Sequence, residues 1–202
     1  MSGPPLVLAS ASPRRRRLLE QLGLRFDVVA AHVDETARAD ETPREMVRRL
    51  ALAKARAVAD AHPDALVIGG DTEVIFNGAI LGKPASGADA VATLLRLQGH
   101  EHRVETGVAV VAPGGRYAVD VVGADVRFRT FGRGVAEAYV ATGEPMDKAG
   151  AYGIQGRGGV LVAAIRGDYF AVMGLPVARV ATLVEEVGYR YSFAGEITEV
   201  GG

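Results

Sequence analysis

Ser10 and Ser12 stand just ahead of four consecutive arginines at positions 14–17, in the stretch LASASPRRRRLL (8–19). The apolar run PLVLA (5–9) reads as a buried strand. Ser12 then suits a helix N-cap, Pro13 the first helical position and Gly23 the position just past the helix end. Hydroxyls and guanidiniums therefore gather at a strand-to-helix turn, where unpaired backbone N–H groups and the helix dipole favour an anion. Arginine at a helix N-terminus is otherwise unfavourable by about 0.3–1 kcal/mol. A bound phosphate reverses that sign, because guanidinium grips it bidentately. Four arginines span more than one helical turn, so they cannot all face one ligand. Arg14 and Arg15, nearest the turn, are the expected pair, and Arg16 and Arg17 are expected in solvent. The plain alternative is a basic surface turn, and the glycine-rich pattern of a P-loop is absent.

The second constellation is IGGDTEV (68–74). Asp71 follows two glycines at the end of an apolar strand, the edge of an open α/β sheet where ligands sit. A carboxylate there suits Mg²⁺ coordination or activation of a water, the alternative being a turn-forming aspartate. Lys54 in LALAKA and Lys83 in LGKP are single cations that matter only as partners of such a group. His100 and His102 alternate on a strand, but no carboxylate or third ligand is suitably spaced, so no metal site is expected from them. No Gly-x-Ser-x-Gly elbow is present for serine hydrolysis.

These groups must be carried by a soluble fold. The 202 residues are 49% apolar and 23% charged, the balance of a globular chain with one sizeable core. A net charge of −1 supplies no general field for nucleic acid or anionic membrane, so any anion site is local. Without cysteine there is no disulfide framework, thiolate metal site or cysteine nucleophile. No signal region opens the chain and no apolar run approaches the ~18 residues of a membrane span, so a cytoplasmic protein with no membrane partner is expected.

Periodicity predicts a strand at 25–30, an acidic loop at 32–43 and an amphipathic helix from Pro43 to His62. A strand over 65–76 runs through Gly-Gly-Asp-Thr and turns at Asn77-Gly78. Ser86 and Asp89 form a capping-box pattern for a helix ending near Gly99. Strands at 102–112 and 116–129 flank Pro113-Gly114-Gly115, and a helix over 133–142 stops at Gly143. The glycine-rich segment 142–159 lacks a core pattern and is long for a connection, which marks a working loop. A strand at 160–165 and a helix at 176–187 complete a single α/β unit with an ordered core of about 5–188. Residues 189–202 read as a tail.

Several motifs align in order with one family. LASASPRRRRLL, VDE (33–35), LALAKA, GGDT, LGKP, TGVAV (106–110) and GEPMDKAGAYGIQG (143–156) resemble Maf-type nucleoside triphosphate pyrophosphatases over about residues 6–187. The resemblance implies a mixed α/β sheet with flanking helices, bilobal around a central cleft and related to inosine triphosphate pyrophosphatases. It implies cleavage of a nucleoside triphosphate between the α and β phosphates with a divalent cation, Mg²⁺ or Mn²⁺. Carried over by motif, Asp71 accepts the proton of the attacking water, and Ser10, Arg14, Arg15, Lys54 and Lys83 hold the triphosphate. Glu35 and Asp71 are the implied metal ligands.

KAGAYGIQG resembles the branch that hydrolyses dTTP and UTP, where positions matching Arg14, Thr72 and Gln155 are linked to substrate choice. The Gln155 amide offers a donor and an acceptor that match O4 and N3–H of thymine or uracil. The resemblance also admits a homodimer, and it offers the rival reading of a nucleotide-binding regulator of septum formation. Nucleic-acid binding is disfavoured by the neutral net charge. Two departures stand out: Glu73 follows GDT where an apolar residue is commoner, and RGDYFAVMGLPV (166–177) differs from the usual GSYxNVxGLP.

Overall fold

In chain order the elements are β1 (Leu6–Ala9), α1 (Pro13–Gln21), β2 (Asp27–Val28), α2 (Pro43–Ala59), β3 (Leu66–Phe76) and β4 (Ala79–Leu81). There follow α3 (Gly87–Leu97), β5 (Glu101–Val111), β6 (Tyr117–Phe128), α4 (Arg133–Val140), β7 (Val162–Gly167), α5 (Tyr169–Met173), α6 (Val177–Glu186), β8 (Tyr189–Ser192) and β9 (Glu196–Glu199). Short 3-10 turns occupy Pro113–Gly115, Glu144–Asp147, Ala149–Ala151 and Arg157–Leu161. These come from a computed structural model that describes residues 3–200. The architecture is α/β, a mixed sheet with flanking helices, as the sequence predicts. No described helix is long and apolar enough to cross a membrane.

The chain divides into two compact units. The first comprises the described residues up to Asp71, Thr106–Val122 and those from Gly174 onward; the second comprises Thr72–Glu105 and Gly123–Met173. Three of the four crossings fall inside β3, β5 and β6. A single α/β unit is therefore what the sequence suggests, because no Pro-, Gly- or Ser-rich connection marks a division that runs through continuous strands.

In the first unit the strand order is β2-β1-β3-β5-β6. β1 is parallel to both neighbours, with Val7 opposite Asp27 and Val67. The fully buried β1 and the head of β3 read as unbroken apolar runs because helices cover parallel strands. α2 begins with a complete capping box between Thr42 and Glu45, worth about 1 kcal/mol. Its apolar stripe packs Ala51, Ala55 and Val58 against Val7, Ala9, Val67 and Ala109. In the second unit the order is β4-β3-β5-β6-β7, with α3 and α4 packing Leu94, Leu97, Ala136 and Tyr139 onto Val74, Val104, Val126 and Phe128. Asn77 and Gly78 both have positive φ, the geometry of a type I′ hairpin turn between β3 and β4.

Some boundaries differ from expectation. β2 is two exposed residues rather than the six of 25–30, because only one side of it is paired. α2 ends at Ala59, three residues early, as Asp60 caps it. β7 lies two residues later than expected, and α5 forms within 166–177, where Asp168 Oδ1 accepts from the N–H groups of Phe170 and Ala171.

The tail reading of 189–202 is corrected over its described part. β8 and β9 pair antiparallel, Tyr189 and Ile197 are buried, and the Tyr191 hydroxyl donates to the Leu22 carbonyl at 2.9 Å. Alternating Tyr189, Tyr191 and Ile197 carry a strand signal too short to distinguish from a polar end. The segment 142–159 also contributes to the second core, through Ala151 and Tyr152.

Candidate active site

β1 delivers Ser10 to the start of α1, and Ser12 caps that helix by accepting from Arg15 N. Ser10 Oγ accepts from Ser12 N at 3.2 Å and from Arg15 Nη1 at 3.1 Å. Arg15 Nε donates to the Gly174 carbonyl at 2.7 Å, and the guanidinium lies on the Gly70 backbone, where an added Cβ would be 3.2 Å from Nε. Burial lowers the Arg15 pKa and the neighbouring Asp71 charge opposes that shift, so the guanidinium stays cationic. Arg14 is half-buried beside it. Arg16 pairs with Glu20 in solvent and Arg17 is exposed.

The same unit places Lys54 between two carboxylates. Its Nζ is 2.7 Å from Asp71 Oδ1 and 2.6 Å from Glu35 Oε1. The Lys54 and Asp71 side chains are 12% and 9% exposed, whereas Glu35 is 60% exposed. Backbone proximity makes this contact possible. A Cβ on Gly69 would lie 2.4 Å from the Ala51 carbonyl oxygen, and one on Gly107 would lie 2.1 Å from that of Val47. Bare glycines on β3 and β5 thus let α2 sit directly on the sheet, bringing Lys54 to Asp71 in the middle of β3. The loop carrying Glu35 is fastened to α2 by Arg49, which forks onto both Glu41 oxygens and donates to the Thr36 carbonyl at 3.1 Å.

Asp71 Oδ2 is buried and has no hydrogen-bond partner among the described residues. An unsatisfied carboxylate oxygen costs on the order of 1–3 kcal/mol, and a native fold that keeps one has a use for it. An acceptor held beside an ammonium and near a guanidinium can take a proton from water or complete the shell of a cation.

Thr72, Lys83 and Gln155 belong to the second unit. Thr72 follows Asp71 directly along β3. Lys83 is exposed after β4, and the Gly82 carbonyl beside it accepts from Gly150 N at 3.2 Å. Gln155 is half-buried in the glycine-rich segment. His102 is buried with Nε2 2.8 Å from the Tyr152 hydroxyl, and His100 lies against Phe76 with ring centroids 5.7 Å apart. No group of three or more His, Cys, Asp or Glu residues able to hold a metal occurs among the described residues.

The first unit therefore brings together Ser10, Arg14, Arg15, Glu35, Lys54 and Asp71 of the nine residues singled out in the sequence. Sequence reasoning missed the Gly174 carbonyl, which carries no residue-type signal, and the Arg49–Glu41 clasp.

Known proteins resemble this chain over most of its length. A dTTP/UTP pyrophosphatase of Moorella thermoacetica is 55% identical, covering 91% of this chain and 95% of its own. One of Symbiobacterium thermophilum is 50% identical, covering 91% and 94%. The solved Staphylococcus aureus Ham1 protein is 17% identical, covering 61% of this chain and 71% of that one, with a TM-score of 0.46. The family described as Maf-like protein matches residues 5–187. The chain belongs to the Maf-like protein family.

Proposed function

We propose that this protein is a nucleoside triphosphate pyrophosphatase that hydrolyses dTTP and UTP to the monophosphate and pyrophosphate, assisted by a divalent cation. The observation that carries the reading is the buried, unpartnered Oδ2 of Asp71 beside Lys54. The names of relatives at 50–55% identity supply the substrate class.

In this reading Asp71 Oδ2 takes a proton from water. The water oxygen bonds to the α phosphorus, the bond from that phosphorus to the α–β bridging oxygen breaks, and its electron pair leaves on pyrophosphate. Arg14, Arg15, Lys54 and Lys83 offset the charge of the triphosphate, since positioning and neutralisation supply most of the rate in phosphoryl chemistry. Ser10 holds Arg15 through its hydroxyl. Thr72 and Gln155 set the nucleoside, and Gln155 distinguishes thymine and uracil because a wrong base leaves its amide unpaired.

Glu35 and Asp71 suit a hard cation: Mg²⁺ commonly takes one or two carboxylates and draws its remaining ligands from water and phosphate oxygens. When bound there, the cation supplies charge neutralisation and a more acidic water. A regulator that only binds nucleotide has no need of an orphaned carboxylate, so Asp71 favours the enzyme. The test is pyrophosphate release from a panel of triphosphates with and without Mg²⁺ or Mn²⁺. Cation-dependent release, fastest from dTTP and UTP, supports the proposal; release of orthophosphate alone, or no turnover, refutes it.

A further inference from the structure

The glycine-rich segment is wrapped around one carboxylate. Tyr139, in the last turn of α4, donates its hydroxyl to Glu144 Oε1 at 2.8 Å and accepts from Gly153 N at 3.0 Å. Glu144 Oε1 also accepts from Gly158 N at 3.1 Å, and Oε2 accepts from Arg157 N at 2.9 Å. Thr142 Oγ1 joins the two, donating to the Tyr139 carbonyl at 2.7 Å and accepting from Glu144 N at 3.2 Å. Residues 153 and 157–158 are thus tied to a single polar centre, and Gln155 sits between the two ties.

The glycine spacing follows from this wrapping. A Cβ on Gly156 would lie 2.5 Å from Glu144 Oε2, and one on Gly158 would lie 2.5 Å from the Tyr139 hydroxyl. Only bare backbone fits that close to the carboxylate and phenol. Charge keeps the centre intact. Burial pushes the Glu144 carboxyl up, but the Gly158 and Arg157 N–H groups and the Tyr139 hydroxyl outweigh it and hold the pKa below the ordinary value. Burial raises the Tyr139 phenol above its ordinary range, so it remains a donor. Both ends of the segment therefore lose their freedom before any ligand arrives, the preorganisation that a selective hydrogen-bonding pocket needs.

We infer that Glu144, supported by Tyr139, is a positioning residue that fixes Gln155 for reading the pyrimidine base, and so sets specificity without touching substrate. The inference rests on the function proposed above. Cytosine is the informative competitor, because it exchanges the O4 acceptor and N3–H donor of thymine and uracil for the opposite pattern. In Glu144→Gln an NH₂ replaces one acceptor oxygen and faces an N–H or O–H donor, loosening the segment. Tyr139→Phe keeps the ring in the core and removes only the hydroxyl.

The experiment measures kcat and KM for dTTP, UTP and dCTP in the full chain and in both variants, with Tm alongside. The preference for dTTP and UTP over dCTP should fall roughly tenfold in Glu144→Gln, the scale of one hydrogen bond to a charged group, and less in Tyr139→Phe. The change should appear in KM, with kcat on dTTP little altered. An unchanged preference in both variants, whether or not Tm falls, overturns the inference; if Glu144→Gln does not fold, Tyr139→Phe decides alone. A wild-type protein with no preference for dTTP and UTP overturns the base-reading function itself, which is a different failure.

Discussion

Lys54 Nζ lies 2.7 Å from Asp71 Oδ1, and this one contact joins the middle of α2 to the end of the apolar run of β3. Lys54→Met therefore leaves a buried carboxylate without its ammonium. The expected loss is about 2–3 kcal/mol, below the ~3–5 of a fully buried pair because the cluster opens to solvent through Glu35. Turnover should fall about 100-fold or more with the loss of a phosphate-neutralising charge. Urea denaturation and pyrophosphate release check the two halves.

Gly69→Ala tests whether close backbone approach places that lysine. The new methyl would lie 2.4 Å from the Ala51 carbonyl oxygen and 2.8 Å from Ala55 N, both backbone atoms of α2. Overpacking of this kind costs about 1–3 kcal/mol, and the helix can relieve it only by moving away with Lys54. Tm and kcat should fall together. Gly134→Ala on the exposed face of α4 meets nothing within 4 Å, and should leave activity alone while raising stability slightly.

His102 predicts a pH dependence of stability. Burial lowers its pKa from 6.5 to about 4, so the folded protein keeps the ring neutral where the unfolded chain protonates it. The unfolded state then binds more protons between those values, and stability falls as pH drops from 6.5 toward 4. Between pH 7 and pH 5 the loss from this group is about 2 kcal/mol. Thermal denaturation at the two pH values should show it, and His102→Gln should remove it.

Arg49 predicts the opposite kind of group. Hydrogen bonds from Arg49 bring Glu41 down from 4.5 to about 2, so the clasp contributes fully above pH 4.5 and fades as pH falls toward 2. Arg49→Gln should therefore be destabilised relative to wild type at pH 6, and the gap should narrow by pH 3. The variant should also need more Mg²⁺ for half-maximal activity, since the Glu35 loop loses its tie to α2.

The legible parts of this fold were those with local signals. Ser12, Pro13 and Gly23 bracket α1, and Asn77-Gly78 marks the β3–β4 turn, because caps and turns depend on neighbours in sequence. The burial difference between Arg14–Arg15 and Arg16–Arg17 followed from helical geometry alone. A bilobal chain followed from the family resemblance, but the boundary between the two units was not legible, since it cuts through continuous strands. Nor was the role of Glu144, whose partners lie five to fourteen residues away and include backbone N–H groups of any residue type. Among the candidate site residues, the proximity of Glu35, Lys54 and Asp71 required knowing that Gly69 and Gly107 admit α2 to the sheet.

The sharpest test removes the proposed proton acceptor and keeps its shape. Asp71→Asn preserves side-chain volume but abolishes the basic oxygen that stands unpartnered beside Lys54. With dTTP and Mg²⁺, pyrophosphate release should drop on the order of 10²–10⁴-fold, the range of a general base, while titration calorimetry still detects dTTP binding. Turnover equal to wild type in Asp71→Asn would contradict the account.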